Sequence, residues 1–257
     1  MKLCISLFLF SVCISCKAQI NNNSGNALQL TMVMPLHDND NNVFDFKREI
    51  ILVERGSLFI FKIPTYHQTI RNASNDYGEY DSELVRVDSF YYYVMYKQGQ
   101  RFGYFRDSAK GINWTKIPVD SFRLSATIYS LDTLVDYIGK KSTLVSSSRS
   151  DNGNLYTEKY ASRSKPDSTY NDSTLVIYNR DLNKYKFSFS RQADQKHEMK
   201  LAHVELIYNP NHTAETGYLR SRRSILFKMH EVTLPNPEFF GELESIYRQL
   251  ETTENLQ

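Results

Sequence analysis

Residues Phe90 to Tyr96 read FYYYVMY, a run that is apolar or aromatic at both odd and even positions. Side chains of a strand alternate between two faces, so such a run is covered on both sides and belongs inside a sheet. A chain carrying it needs a β layer with material packed above and below. The wider composition agrees: 18 tyrosines and 15 phenylalanines stand against 10 glycines, which favours aromatic-rich strands over a glycine-loop nucleotide binder. With 257 residues, 41% hydrophobic and 23% charged, the chain can bury a core as one large or two modest domains.

Strand patterns recur on both sides of that run. ALQLTMVMPL (Ala27 to Leu36) reads as a first strand, and REIILVE with SLFIFKIP as a hairpin turning at Arg55-Gly56 and closing at Pro64. RFGYFRD pairs with the aromatic run through Gln98-Gly99. KSTLVSSS, NLYTEKYAS, STLVIYN, KYKFSFS, KLAHVELIYN and SILFKMHEV follow as further strands, with Tyr185, Phe187 and Phe189 sharing one face of KYKFSFS. Two segments have helical spacing instead. SLDTLVDYIGKK (Ser130 to Lys141) places Leu131, Leu134, Val135 and Ile138 on one side, with Ser130 as cap and Gly139 as stop. NPEFFGELESIYRQL has Asn236 to cap, Pro237 for the first turn and an apolar stripe of Phe239, Phe240, Leu243, Ile246, Tyr247 and Leu250. The expected fold is mainly β: antiparallel sheet arranged as a sandwich or half-barrel, a short mid-chain helix, and a C-terminal amphipathic helix packed on the sheet. Residues 19–257 read as a single β-rich domain, with 130–140 as the joint if the chain is built in two halves.

Ahead of this domain, Lys2 and the ten mostly apolar residues Ile5 to Ile14 have the make-up of an export signal, too short to span a bilayer as a helix. Two processing routes fit. Ala18 and Cys16 supply the small residues that a general signal peptidase needs, giving a signal peptide of residues 1–18 and a mature chain from Gln19. Cys-Ile-Ser-Cys resembles the bacterial lipoprotein motif, which implies a signal of residues 1–15 and a lipid on Cys16, although Cys13 stands where leucine is usual. Cys4, Cys13 and Cys16 are the chain's three cysteines, so cleavage after Ala18 leaves none and excludes disulfides from that product. Export without disulfides favours a bacterial envelope: periplasm or outer membrane, lipid-anchored if Cys16 is modified, or secretion.

Motifs for chemistry are sparse. Asp38, Asp40, Asn42 and Glu49 have the first, third, fifth and twelfth spacing of an EF-hand loop, making calcium the cation to weigh there. Val43 replaces the glycine that loop requires, so a solvated polar loop is the better reading and no cofactor is expected. In KHEMKLAHVELIY, residues 197, 199, 201, 203 and 205 share the less apolar strand face, placing His203 and Glu205 near solvent. GxSxG, Walker and Rossmann patterns are absent. Tyr91, Tyr93 and Trp114 are candidates for lining a ligand cavity, with core packing as their alternative role. YLRSRRSILFKMH reads as an edge strand protected by charge, with a site for an anionic ligand or lipid headgroup as the alternative.

Basic and acidic residues number 31 and 29, a net charge of +2, which gives no field to draw the chain to nucleic acid. A membrane association would come through an N-terminal lipid. The expectation is an exported envelope protein that binds a ligand or partner, such as a lipid, a glycan or an envelope protein, without catalysis. The alternatives are an envelope hydrolase using scattered carboxylates or a metal, and a structural surface or assembly component.

Overall fold

The computed structural model describes residues 26–37, 43–74, 80–111, 113–120, 130–163, 171–212, 219–220 and 222–254. The N-terminal signal therefore lies outside the described residues. Its strands are β1 (Asn26–His37), β2 (Val43–Arg55), β3 (Leu58–Ser74), β4 (Tyr80–Lys97), β5 (Phe102–Asp107), β6 (Thr115–Pro118), β7 (Ser142–Arg149), β8 (Leu155–Ser162), β9 (Ser173–Asn179), β10 (Lys200–Tyr208), β11 (Asn211–His212), β12 (Leu219–Arg220) and β13 (Arg223–Thr233). Its helices are α1 (Asp132–Lys141), α2 (Arg191–His197) and α3 (Pro237–Glu254).

Eleven strands form one antiparallel, unclosed sheet in the order β6-β5-β4-β3-β2-β1-β13-β10-β9-β8-β7, while β11 and β12 pair separately. From β1 at the centre of this sheet the strands follow one another outward to β6; after α1 they resume at the opposite edge with β7 and work back inward. β1 and β13 close the circuit, with Asn26 opposite Thr233 and Val33 opposite Leu226. A charged edge was the expectation for the segment around Arg223 and Lys228. The structure instead places it in β13, flanked by β1 and β10, with the Arg223 guanidinium over the Tyr208 ring at 4.9 Å.

Turn chemistry sets the first hairpins. Gly56 takes φ +62° at the first position of the two-residue loop between Arg55 and Leu58, the place where a II′ turn calls for glycine. Gly99 takes φ +85° in the turn closed by the Gln100 N–H donating to the Lys97 carbonyl. Pro64 does not end its strand, as the sequence suggested. β2 stays with β3 only as far as Lys62, and β3 continues beside β4 until Ser74 faces Tyr80. Counting from the hydrogen-bonded pair Arg55 and Leu58, the backbone nitrogen of Pro64 points to the side that β2 has left, where no donor is needed.

The two faces carry separate cores. On the outer face, Val53, Leu58, Ile60, Tyr93, Met95 and Tyr104 bury Phe240, Leu243 and Tyr247 of α3. Asn236 caps that helix by accepting the Phe239 N–H at 3.2 Å, as its sequence position suggested. On the inner face, side chains from both ends of the sheet, among them Phe61, Val94, Val176 and Val204, meet Ile138 of α1 and Ala193 of α2 in one core. Tyr91, Tyr93 and Met95 thus turn outward while Tyr92, Val94 and Tyr96 turn inward, the two-sided burial implied by FYYYVMY.

Local readings differ at four further points. The first turn of α1 follows Leu131, whose buried side chain and N–H to the Phe189 carbonyl (2.7 Å) fix that position; Ser130 stands one residue earlier. Gly139 is helical, and α1 runs on to Lys141. α2 holds His197 as its last residue, outside any strand, and a bulge between Leu201 and His203 turns Leu201 into the core. KYKFSFS is not a strand: a 3₁₀ turn over Arg180–Lys184 leads into an irregular segment ending at Ser190, the cap of α2.

Candidate functional site

The irregular segment is held by a side chain in place of a ladder. Glu54 of β2 accepts the backbone N–H of Lys186 at 2.8 Å with one carboxylate oxygen and that of Phe187 at 2.7 Å with the other. This satisfies two donors that a strand partner would otherwise take. The alternation of KYKFSFS still sends Phe187 and Phe189 inward, their rings 5.7 Å apart and edge-on. Phe187 meets Phe61 at 6.1 Å, and Phe61 stacks on Tyr96, with Phe59 completing the group 5.4 Å from Tyr96.

Above these rings lies a cavity of about 550 Å³, bounded by the β4–β5 turn, the start of α1 and the 185–190 segment. Phe59, Tyr96, Phe187 and Phe189 form its apolar part, all of them buried. Arg101, Lys186 and Arg191 bring cationic groups to it, and Asp120 and Asp132 bring carboxylates. The Asp132 carboxylate accepts the hydroxyl of Ser130 at 2.7 Å and that of Ser190 at 2.5 Å. The Lys186 ammonium donates to the Gly56 carbonyl at 2.7 Å. Ser188 Oγ, on the same wall, is buried and has no hydrogen-bond partner among the described residues. Buried rings and charged side chains bordering one space can hold and orient a small molecule.

A second cavity of about 250 Å³ lies between α1 and α2 over Tyr160 and Tyr178. Glu158 is buried beside it, accepts the Tyr160 hydroxyl at 2.9 Å and stands 3.9 Å from His197 Nε2. The His197 ring stacks on Tyr178 at 4.0 Å. Burial, with the Glu158 carboxylate close by, raises the Tyr160 and Tyr178 phenols far above their ordinary range. Burial lowers His197 against the pull of Glu158. The result is a packed cluster that ties β8 and β9 to α2.

Among the sequence candidates, Cys16, Asp38, Asp40 and Asn42 lie outside the described residues. Glu49 sits exposed on β2, where its carboxylate accepts from Gln29 at 2.7 Å and pairs with Lys47 at 2.7 Å. Tyr91, Tyr93 and Trp114 join the outer core, on the opposite face from the larger cavity. Tyr93 lies 5.3 Å from Phe239 of α3, Lys62 stands over Tyr91 at 4.2 Å, and Arg106 over Trp114 at 5.9 Å. His203 and Glu205 approach to 3.8 Å, and His203 is largely buried instead of facing solvent. Among the described residues no group of three His, Cys, Asp or Glu could hold a metal ion, and no helix is long and apolar enough to cross a membrane.

The sequence marks Phe187 and Phe189 only as one face of a strand and Tyr96 only as the end of the aromatic run FYYYVMY, and it does not single out Phe59, Arg101, Ser188 or Arg191. The alternating phenylalanines were the available signal. Comparison with family models, with curated proteins and with solved structures finds no match to this chain.

Proposed function

We propose that the chain is an exported protein of a bacterial envelope that binds a small ligand, without catalysis, in the inner-face cavity. The cavity itself carries this reading. Its volume of about 550 Å³ falls within the range of small-molecule sites, and its lining, mainly polar and charged side chains over a floor of buried rings, offers groups that can orient a polar ligand. An unclosed sheet wrapped on an apolar interior also suits a carrier, because a ligand can enter without breaking a ladder. Export is supported by the apolar run Ile5 to Ile14 behind Lys2.

Native mass spectrometry of the protein purified from bacterial envelopes without detergent tests the binding role. A small molecule bound one-to-one, and lost in a Phe187→Ala variant, is the expected result. Wild-type protein that carries no adduct and takes up none from an envelope lipid extract overturns it. Intact mass of the same sample distinguishes an acylated chain starting at Cys16 from one starting at Gln19, and full-length, unprocessed chain retained in the cytoplasm would remove the envelope role.

A further inference from the structure

We infer that β7 is an interface for a second copy of this chain: the two edge strands pair antiparallel across a two-fold axis and join two sheets into one. This does not depend on the cavity. It starts from the contrast between the two edges of the sheet, β6 and β7. An edge strand offers unpaired N–H and C=O groups, and proteins that stay alone blunt it with proline, lysine or a short strand. β6 has all three: it is four residues long, carries Lys116 and ends on Pro118. β7 is eight residues long, STLVSSSR, with no proline, no lysine and Arg149 as its one charge. The Arg149 guanidinium turns back over the ring of Tyr156 on β8 at 5.1 Å. Every residue of β7 after Ser142 is exposed. Of the four large apolar side chains exposed among the described residues, Leu144, Val145 and Leu155 lie on β7 or on β8 beside it, and Val145 is 67% exposed.

The backbone shows which groups are open. Counting from the Ser150 N–H, which donates to the Leu155 carbonyl at 3.0 Å, Ser148 and Ser146 bond to β8, while Ser147 and Arg149 turn N–H and C=O outward. The bulge between Leu144 and Ser146 leaves residues 146–150 as the regular run. A second copy fits that run better than a foreign strand does. With Ser148 on the two-fold axis, Ser147 of each copy faces Arg149 of the other, giving about four backbone hydrogen bonds, and no charged side chain faces its own copy. Val145 then lies beside Asp151 of the other copy, so the turn after β7 covers the exposed valine. Lys140 and Lys141, exposed just ahead of β7, are brought towards Asp151, exposed just behind it, so the strand ends complement each other in charge. One strand pair is a small interface, so the dimer is weak, with a dissociation constant in the micromolar range.

Sedimentation equilibrium of the full chain over a concentration series, with residue-level hydrogen exchange on the same samples, tests this. A reversible dimer is expected, in which the Ser147 and Arg149 amides gain protection as concentration rises while those of Ser146 and Ser148 are protected throughout. Ser147→Pro removes only an outward N–H and should weaken the dimer at least about tenfold with the monomer still folded by circular dichroism. Val145→Lys, at an exposed position, should do the same by placing a charge on the edge, and it decides the matter if the proline variant fails to fold. Protein that stays monomeric up to about 0.3 mM overturns the inference, as does a dimer that Val145→Lys leaves intact. Protection of Ser147 and Arg149 that appears only when other envelope proteins are added assigns the edge to a foreign strand and also overturns it.

Discussion

The carboxylate of Glu54 receives the backbone N–H of Phe187 at 2.7 Å, so a side chain on β2 fixes the wall of a cavity built by residues far along the chain. Its other oxygen takes the neighbouring N–H of Lys186 at 2.8 Å. Glu54→Ala leaves both donors without this acceptor and should cost about 2 kcal/mol, the scale of hydrogen bonds to a charged group. Glu54→Gln keeps one acceptor oxygen and should cost less. Urea midpoints of the two variants check the order, and equal midpoints for wild type and Glu54→Ala would show that the segment is held some other way.

Tyr247 anchors α3 with both its ring and its hydroxyl. The ring is 1% exposed, packs edge-on against Tyr104 at 5.5 Å, and its hydroxyl donates to the Gln100 side-chain oxygen at 2.6 Å. Tyr247→Phe should cost about 1 kcal/mol, because Gln100 is exposed and water can replace the lost donor. Tyr247→Ala should cost about 3–5 kcal/mol by opening a cavity under the helix. Thermal and urea unfolding separate the two values.

Gly103 lies in β5 where a Cβ would come within 2.6 Å of the Met95 carbonyl oxygen and 2.8 Å of Tyr96 Cβ. Backbone cannot yield as a flexible side chain does, so Gly103→Ala should push β5 from β4 and destabilise by about 1–3 kcal/mol. A control elsewhere in the fold, Gly139→Ala on α1, has nothing within 4 Å and should be stabilising by up to about 1 kcal/mol. Opposite signs for the two alanines in urea unfolding are the expected outcome.

Acid should weaken the fold through its half-buried histidines. Burial lowers His203 and His230 from the ordinary 6.5; Lys228 pushes both the same way, while Glu205 opposes at His203 and Glu49 at His230. With the folded value below the unfolded one, the unfolded chain takes up protons first as pH falls. Stability is therefore full above the unfolded value and declines as pH drops towards the folded values. Urea midpoints should fall between about pH 7 and pH 5, and the fall should be shallower in a His203→Gln, His230→Gln double variant. Identical slopes would assign the acid sensitivity to carboxylates.

Short-range pattern carried much of the architecture. The parity of FYYYVMY, the glycines at positions 56 and 99, and the Asn236-Pro237 start of α3 each act within a few residues, so each is legible without knowing its neighbours. The alternation in KYKFSFS was equally visible, and it did deliver Phe187 and Phe189 to the core. Its backbone nevertheless left the sheet, because β9 and β13 already flank β10 and Glu54 offers two of its N–H groups an acceptor.

Strand type is written in local periodicity, but strand partners are chosen by contacts between distant residues. Nothing near Asn26 or Thr233 announces that they face one another, and that pairing puts β13 inside the sheet instead of at its edge. The same holds for the cavity. Tyr91, Tyr93 and Trp114 were as aromatic as Phe59 and Tyr96, yet α3 covers the face of Tyr91 and Tyr93 and leaves the other rings beside an open volume. Which ring meets a helix and which meets a cavity follows from where the covering elements dock, a free-energy balance over the whole buried surface that no single segment contains.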